Sequence, residues 1–323
     1  MRPLRVVVIG CGRMGSLRAT AAIRFGATVT AAVDARSEVA DRLAEQLPGC
    51  RAAAGVSAID LDGVDALFVC TPPGARGGVE VEAALRGVSV FMEKPIGLSA
   101  AQAAPLTAAL SESRAISAVG YMNRYRQSVR SARADLQNHT VLGASGFWVN
   151  APYGVSWWAD PLQSGGAINE QATHMVDLAR YLLGEVIRVR AVDSAAERDG
   201  GVDRSVSLIL ELETGAAASL FYSCGAKDKR IGFEVFTPAG SVLLDGWDLQ
   251  RLDPLTRQPL CPPAADRYDI FHDETAAFLR AVESGSAAEV LCDFEEAVRT
   301  QRVMDAIEGA MRTGETREVE AGH

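Results

Sequence analysis

The chain has 323 residues, 48% of them apolar, and a formal net charge of −9. That length suggests two domains, and the apolar share is ample for large cores. The acidic balance argues against a general affinity for nucleic acid or for an anionic membrane surface, and no apolar run reaches membrane-spanning length. Six cysteines, at positions 11, 50, 70, 224, 261 and 292, contain no CxxC pair, so they read as reduced thiols of a cytoplasmic protein.

Leu4 to Ile9 is an apolar run rich in β-branched residues, the pattern of a strand buried on both faces of a parallel sheet. Gly10-Cys11-Gly12-Arg13-Met14-Gly15 follows at once, and a helical pattern covers Ser16 to Phe25. Strand, GxGxxG and helix in that order form the dinucleotide-binding fingerprint. Gly10 allows the tight turn, Gly12 lets backbone approach a pyrophosphate, and Gly15 lets the helix pack on the strand. The first helical N–H groups, from Arg13 and Met14 onward, then face the anion. A second strand, Thr28 to Val33, ends at Asp34, about 19 residues past Gly15, where the fingerprint expects an acid for the ribose hydroxyls of NAD. The alternative for Asp34 is a cap for the helix that opens near Ser37. Arg36 is a contrary signal, because an arginine there can receive the 2′-phosphate of NADP.

The next elements alternate. Ser37 to Leu47 reads as helix, Val64 to Cys70 as strand, Arg76 to Arg86 as helix, and Val88 to Met92 as strand. Ser99 caps a helix running to about Ser113, and Ala115 to Tyr121 is one more strand. Repeated βα units imply a parallel sheet with ligands beyond the carboxyl ends of its strands, where Asp34, Thr71, Glu93 and Lys94 fall. The rhythm changes near residue 122. A helix over Ser128 to Gln137 precedes strands at Ala144 to Val149, Ile187 to Asp193, Ser205 to Leu212, Ala216 to Ser223, Arg230 to Thr237 and Ser241 to Asp245. A helix from Asn169 to Leu183 interrupts them, and Asp269 to Ser284 and Phe294 to Met311 are helical. Arg257 to Asp266 reads as a surface loop. The expected fold class is α/β: a dinucleotide-binding domain over residues 1–122 with a parallel sheet, then an α/β domain over 123–323 with an open, largely antiparallel sheet. An open sheet face needs cover, so self-association as a homodimer or homotetramer through the second domain is expected.

Five features in order, the GCGRMG loop, Asp34, Thr71-Pro72, Glu93-Lys94-Pro95, and Gly165-Gly166 with His174 eight residues on, resemble the Gfo/Idh/MocA family of oxidoreductases. The resemblance implies a Rossmann domain, NAD as cofactor, hydride transfer at a carbohydrate or polyol carbon, and a small-molecule substrate. It also implies a cis Lys94–Pro95 bond. The chain departs from the family pattern at Pro73 and Arg76, where Asn and His are frequent, and at Glu170, where the family has Asp.

Alcohol oxidation needs a base for the hydroxyl proton. His174 is the best candidate, since histidine is the side chain that titrates near neutral pH. Glu170 lies one turn earlier and shares its helix face, so it can orient the imidazole or bind a hydroxyl; a plain surface His–Glu pair is the alternative. Lys94, at a strand end, can stabilise a developing alkoxide. Thr71, Pro72, Arg76, Glu93 and Asn123 are assigned to the cofactor by their places at strand ends and by resemblance. Arg124 is assigned to the substrate, with a structural salt bridge as its alternative. Tyr153, Trp157 and Trp158 offer flat faces for the C–H side of a sugar, or pack in a core. Asp177 and Arg180, further along the helix, read as structural ion pairs, which contribute little at a surface. No metal-ligand spacing is present. The reading is an NAD-dependent dehydrogenase acting on a ring hydroxyl of a sugar, aminosugar, glycoside or cyclitol. Its rivals are an NAD-retaining epimerase or eliminative glycosidase, an NADPH-dependent carbonyl reductase, and a non-catalytic nucleotide-binding sensor.

Overall fold

A computed structural model describes residues 2–193, 205–262 and 266–320. The chain divides into two compact units. The first comprises Met1–Gly97, Ala101–Met122 and Tyr268–Ala297; the second comprises Leu98–Ala100, Asn123–Arg267 and Val298–His323. A single cut after residue 122 is therefore too simple, because Tyr268–Ala297 belongs with the first unit.

In chain order the elements of the amino-terminal part are β1 (Arg5–Ile9), α1 (Arg13–Phe25), β2 (Thr28–Asp34), α2 (Ser37–Ala44), β3 (Arg51–Ala54), β4 (Ala66–Val69), α3 (Val79–Leu85), β5 (Ser89–Met92), α4 (Ala100–Ser111) and β6 (Ser117–Val119). There follow α5 (Gln127–Leu136), β7 (Gly143–Val149), α6 (Ser156–Ala159), α7 (Pro161–Ser164), α8 (Thr173–Leu183), β8 (Val186–Asp193), β9 (Ser205–Leu212), β10 (Ala217–Ser223), β11 (Arg230–Thr237), β12 (Gly240–Asp245), β13 (Gln250–Leu252), α9 (Asp269–Ser284), α10 (Phe294–Thr313) and β14 (Arg317–Glu318).

The first sheet has the order β3-β2-β1-β4-β5-β6, and every pairing in it is parallel. Strands β1, β4 and β5 are almost wholly buried, as their continuous apolar runs require. Strand β3 has no counterpart in the sequence reading. Its residues, Arg51-Ala52-Ala53-Ala54, carry little β propensity, and the parallel pairing with β2 makes the strand. The return of α9 to this unit is a packing event. Phe278 enters the core edge-on to Phe68 and Phe91, with ring centroids 5.6 Å from each. Behind it, Cys292 and Phe294 hydrogen-bond to Val119 and Ser117 on β6.

The second sheet runs β13-β12-β11-β7-β10-β9-β8-β14 and is antiparallel except for the β7–β10 pair. Strands β9 and β10 alternate buried and exposed positions along their lengths, the signature of a sheet covered on one face. The helix expected from Asn169 is not uniform: Ile168–Ala172 form a π-helical turn before α8 begins. The Arg257 to Asp266 loop is described except for residues 263–265, which lie outside the described residues. No helix among the described residues is long and apolar enough to cross a membrane.

Candidate active site

The site residues of the first unit stand on neighbouring strands. The glycine loop follows β1, Asp34 closes β2, Thr71 follows β4, and Glu93-Lys94 follow β5, so the order β2-β1-β4-β5 lines them up along one sheet edge. The strand order reverses direction around β1, and the crevice at such a switch point is where α/β sheets bind ligands.

Each glycine of the loop has its own reason to be there. Gly10 has φ +86°, and a Cβ on it would lie 2.7 Å from the backbone of Cys70 and Thr71. A Cβ on Gly15 would lie 2.0 Å from the Gly10 carbonyl oxygen, so only glycine lets α1 sit against the loop. A Cβ on Gly12 would meet nothing within 4 Å. Gly12 therefore lines open space at the start of α1, where no side chain caps the helix and no acid occupies the first turn. A helix start of that kind is ready for an anion. The residues present fit a dinucleotide.

Asp34 is held by backbone. The Cys11 N–H donates to Oδ2 at 2.9 Å and the Arg36 N–H to Oδ1 at 3.0 Å. It does not cap α2, whose N-cap residue is Arg36 with no side-chain cap bond. Both carboxylate oxygens keep a lone pair for further donors. A cleft of about 310 Å³ opens here, lined by Cys11, Gly12, Ser16, Val39, Arg36 and Arg42 among others. The Arg36 side chain is mostly exposed, with Nε 3.8 Å from Asp34. Burial pushes the Cys11 thiol up to about 12, the neighbouring Asp34 charge adding to the effect.

Thr71 and Glu93 turn out to be linked. The Arg76 guanidinium donates to the Thr71 carbonyl from Nε (3.1 Å) and Nη2 (2.6 Å), to the Glu93 carbonyl from Nη1 (2.6 Å), and to the Pro95 carbonyl. This side chain ties the ends of β4 and β5 together. Burial lowers its pKa to about 10, which still leaves it charged near neutral pH. The Glu93 carboxylate is engaged as well: Arg18 Nε donates to Oε1 at 2.7 Å, while Arg18 Nη2 reaches Glu274 at 2.6 Å. Sequence reasoning missed Arg18. Its signal was the buried stripe of α1, in which Arg18 stands three residues after Gly15 and one before Ala19. The Lys94–Pro95 bond is cis.

In the second unit, His174 is buried in the first turn of α8 and stacks flat on Trp148 of β7, centroids 5.3 Å apart and planes at 7°. Glu170 stands in the π-helical turn, and its Oε2 accepts from Trp158 Nε1 (2.8 Å) and Gln171 Nε2 (2.6 Å). Trp158 is 2% exposed within the core, the packing alternative given for it from the sequence, and its indole N–H holds Glu170. Trp157 is half-buried against the same core. Tyr153 meets Trp158 edge-on, and its hydroxyl lies 3.5 Å from both Gln171 Oε1 and Lys229 Nζ.

Asn123 and Arg124 are both buried. Arg124 forms a buried ion pair with Asp177 at 2.7 Å, and Thr300 also donates to Asp177. That geometry is a structural bridge inside the second unit, the alternative given for Arg124 from the sequence. Asp177 and Arg180 each form a structural ion pair, with Arg124 and Glu185, and their own side chains lie in the interior and not at a surface. Arg180 binds Glu185 and Thr300, and both α8 residues are buried. Trp148, Lys229 and Trp247 were also missed. Only Trp148 carried a signal, its place on the inward side of β7.

The fold and the glycine loop together define a nucleotide-binding α/β protein of the Rossmann kind. Residues 4–121 match the family model described as an oxidoreductase family with an NAD-binding Rossmann fold, and residues 138–243 match that for the GFO/IDH/MocA C-terminal domain. The chain belongs to the Gfo/Idh/MocA family of oxidoreductases. It is 28% identical to D-xylose 1-dehydrogenase (NADP(+)) 2 of Haloferax volcanii over 95% of this chain and 97% of that one. It is 28% identical to the inositol 2-dehydrogenase of Rhizobium meliloti over 88% of this chain and 90% of that one. Among solved structures, a levoglucosan dehydrogenase in complex with NADH and L-sorbose shares the fold, with TM-score 0.87, 20% identity and full coverage of both chains.

Proposed function

We propose that this protein is an NAD-dependent dehydrogenase that removes a hydride from a ring hydroxyl of a sugar or cyclitol. The observation that carries the reading is the open cradle at Gly12 beside a carboxylate, Asp34, that the loop's own backbone fixes in place. When bound there, NAD supplies the hydride acceptor. The chain's residues do the rest. Gly10, Gly12, Arg13, Met14 and Gly15 hold the pyrophosphate on the start of α1, and Asp34 receives the adenosine ribose. Arg76 fixes the Thr71 and Glu93 carbonyls, and through them the turns that border the nicotinamide. Lys94 stabilises the negative charge that develops on the substrate oxygen. His174 takes the hydroxyl proton, its ring held parallel to Trp148. Glu170, itself held by Trp158 and Gln171, orients the substrate or the imidazole. Relatives named xylose and inositol dehydrogenases support the substrate class.

One observation favours NADP instead. Arg36 and Arg42 border the same cleft as Gly12, and the Haloferax relative is named for NADP(+). Against it, Asp34 places a fixed carboxylate where a 2′-phosphate would have to lie. We further propose a homo-oligomer joined through the second sheet, whose uncovered face carries Ile209 and Phe221 at 39% and 38% exposure.

The deciding experiment is nicotinamide reduction followed by absorbance over a panel of sugars and cyclitols, with Lys94→Ala and His174→Ala alongside. Stoichiometric NADH release that falls at least about a hundredfold in each variant is expected. Wild-type turnover in either variant removes the assigned role. Tight NADH binding with silence across the panel turns the reading to a sensor.

A further inference from the structure

We infer that the second unit carries a niche for an anionic group of the substrate, built by Arg126, Lys229 and Arg267 around Trp247 and reached from His174 across Trp148. The inference rests on the proposal that His174 faces the substrate, and it narrows the substrate class to sugars bearing a carboxylate or a phosphate.

The chain of contacts is continuous. Trp148 lies flat on His174, and Trp247 meets Trp148 edge-on with centroids 6.1 Å apart. Lys229 Nζ lies 3.9 Å from the Trp247 ring centre and 5.0 Å from that of Trp148. The guanidinium carbons of Arg267 and Arg126 lie 5.4 and 5.6 Å from the same Trp247 ring. Three cations thus gather on one half-buried indole. Lys229 also approaches the Tyr153 hydroxyl at 3.5 Å, which joins the niche to the turn that carries Glu170.

Hydrogen bonding on the buried side of the niche is incomplete. Arg126 is 7% exposed, and its Nη1 donates to Asp248 at 3.1 Å. Its Nε donates to Asn123 Oδ1 at 3.0 Å. Its Nη2 and the Asn123 Nδ2, both buried, meet no acceptor among the described residues, and neither does Trp247 Nε1. Burial makes the Arg126 charge costly, and the nearby Arg267 adds to that cost, while Asp248 offsets part of it. Cation–π contact softens such a cluster without neutralising it. Unmatched buried donors and crowded like charges are both unfavourable, and one negatively charged, acceptor-rich group relieves both. The half-buried Trp247 ring offers an apolar surface suited to the C–H side of a sugar ring. An ammonium sugar would meet repulsion at the same place.

The test is calorimetric titration of the full chain, with and without NADH, using D-glucose, D-glucuronate and D-glucose 6-phosphate at low and high salt. At least one of the two anions is expected to bind about tenfold more tightly than glucose, with an advantage that shrinks as salt rises. The better anion tells carboxylate from phosphate. In Lys229→Met/Arg267→Gln, both exposed positions, the anion-to-glucose affinity ratio is expected to fall about tenfold. Equal affinities for all three ligands, or a ratio untouched by the double variant, overturns the niche. Anion-selective binding without any nicotinamide reduction keeps the niche and removes the dehydrogenase. NAD reduction by neutral sugars with no anion preference does the reverse.

Discussion

Arg18 and Glu93 meet 2.7 Å apart, and neither side chain is more than 8% exposed. The same guanidinium holds Glu274 and lies 4.2 Å over the Phe91 ring. One cation therefore compensates two carboxylates at the base of the strand end that carries Lys94. A Cβ on Gly120 would come within 2.7 Å of Glu93 Oε2, so the backbone closes over the pair. Arg18→Met strands both acids in a dry interior. The expected loss is about 3–5 kcal/mol, read from urea unfolding. A loss below about 1 kcal/mol would show that Glu93 and Glu274 find other partners.

Gly12 and Gly15 separate folding from binding. Gly15→Ala drives a methyl to 2.0 Å from the Gly10 oxygen, and should cost roughly 3 kcal/mol of stability. Gly12→Ala meets no protein atom within 4 Å, so its unfolding midpoint should match the parent's. Its affinity for NADH should nevertheless drop at least about tenfold, because the methyl fills the space a pyrophosphate needs. Parent-like NADH binding by Gly12→Ala removes the cradle.

The proposed preference for NAD rests on Asp34. Asp34→Ala takes away the acceptor for the ribose hydroxyls and the repulsion toward a 2′-phosphate. Arg36 and Arg42 remain at the cleft. The NAD-to-NADP ratio of kcat/KM should fall at least about tenfold. An unchanged ratio places discrimination elsewhere.

Cys11 sits in the loop, yet it should be inert. The thiolate is the reactive form, and burial raises the thiol to about 12 from an ordinary 9.0. At pH 8 the folded protein should therefore carry roughly a thousandfold less thiolate at Cys11 than the unfolded chain. Peptide mapping after alkylation checks this: protection when folded, labelling in denaturant. The sign for stability follows from the same shift. The contribution is full below the unfolded pKa and fades as pH rises from about 9 towards about 12.

The Trp148 ring fixes the plane of His174. Aromatic pairs contribute about 0.5–1.5 kcal/mol, so Trp148→Leu should lower kcat by roughly threefold to tenfold. The KM for the nicotinamide should hold, and Trp148→Phe should recover part of the rate. A Trp148→Leu variant altered in nicotinamide KM alone would show that the stack serves folding and not the imidazole.

The sequence by itself determined the nucleotide-binding half except for β3 and the returning α9, its strand order of roles, and strands β7 to β12 of the second sheet. It could do so because those signals are local: glycines where a Cβ cannot fit, apolar runs in doubly buried strands, alternation in singly covered ones. Asp34 was legible for the same reason, since the spacing from the glycines fixes which strand end it occupies. What tertiary structure alone decided was partnership at long range. That Arg18 neutralises Glu93 and Glu274, that Arg124 belongs to Asp177, that Trp158 holds Glu170, and that Lys229 and Trp247 stand beside Trp148 depend on residues up to 256 positions apart. Desolvated charges and ring faces take whatever neighbour the packing supplies, and no periodicity along the chain records which neighbour that is.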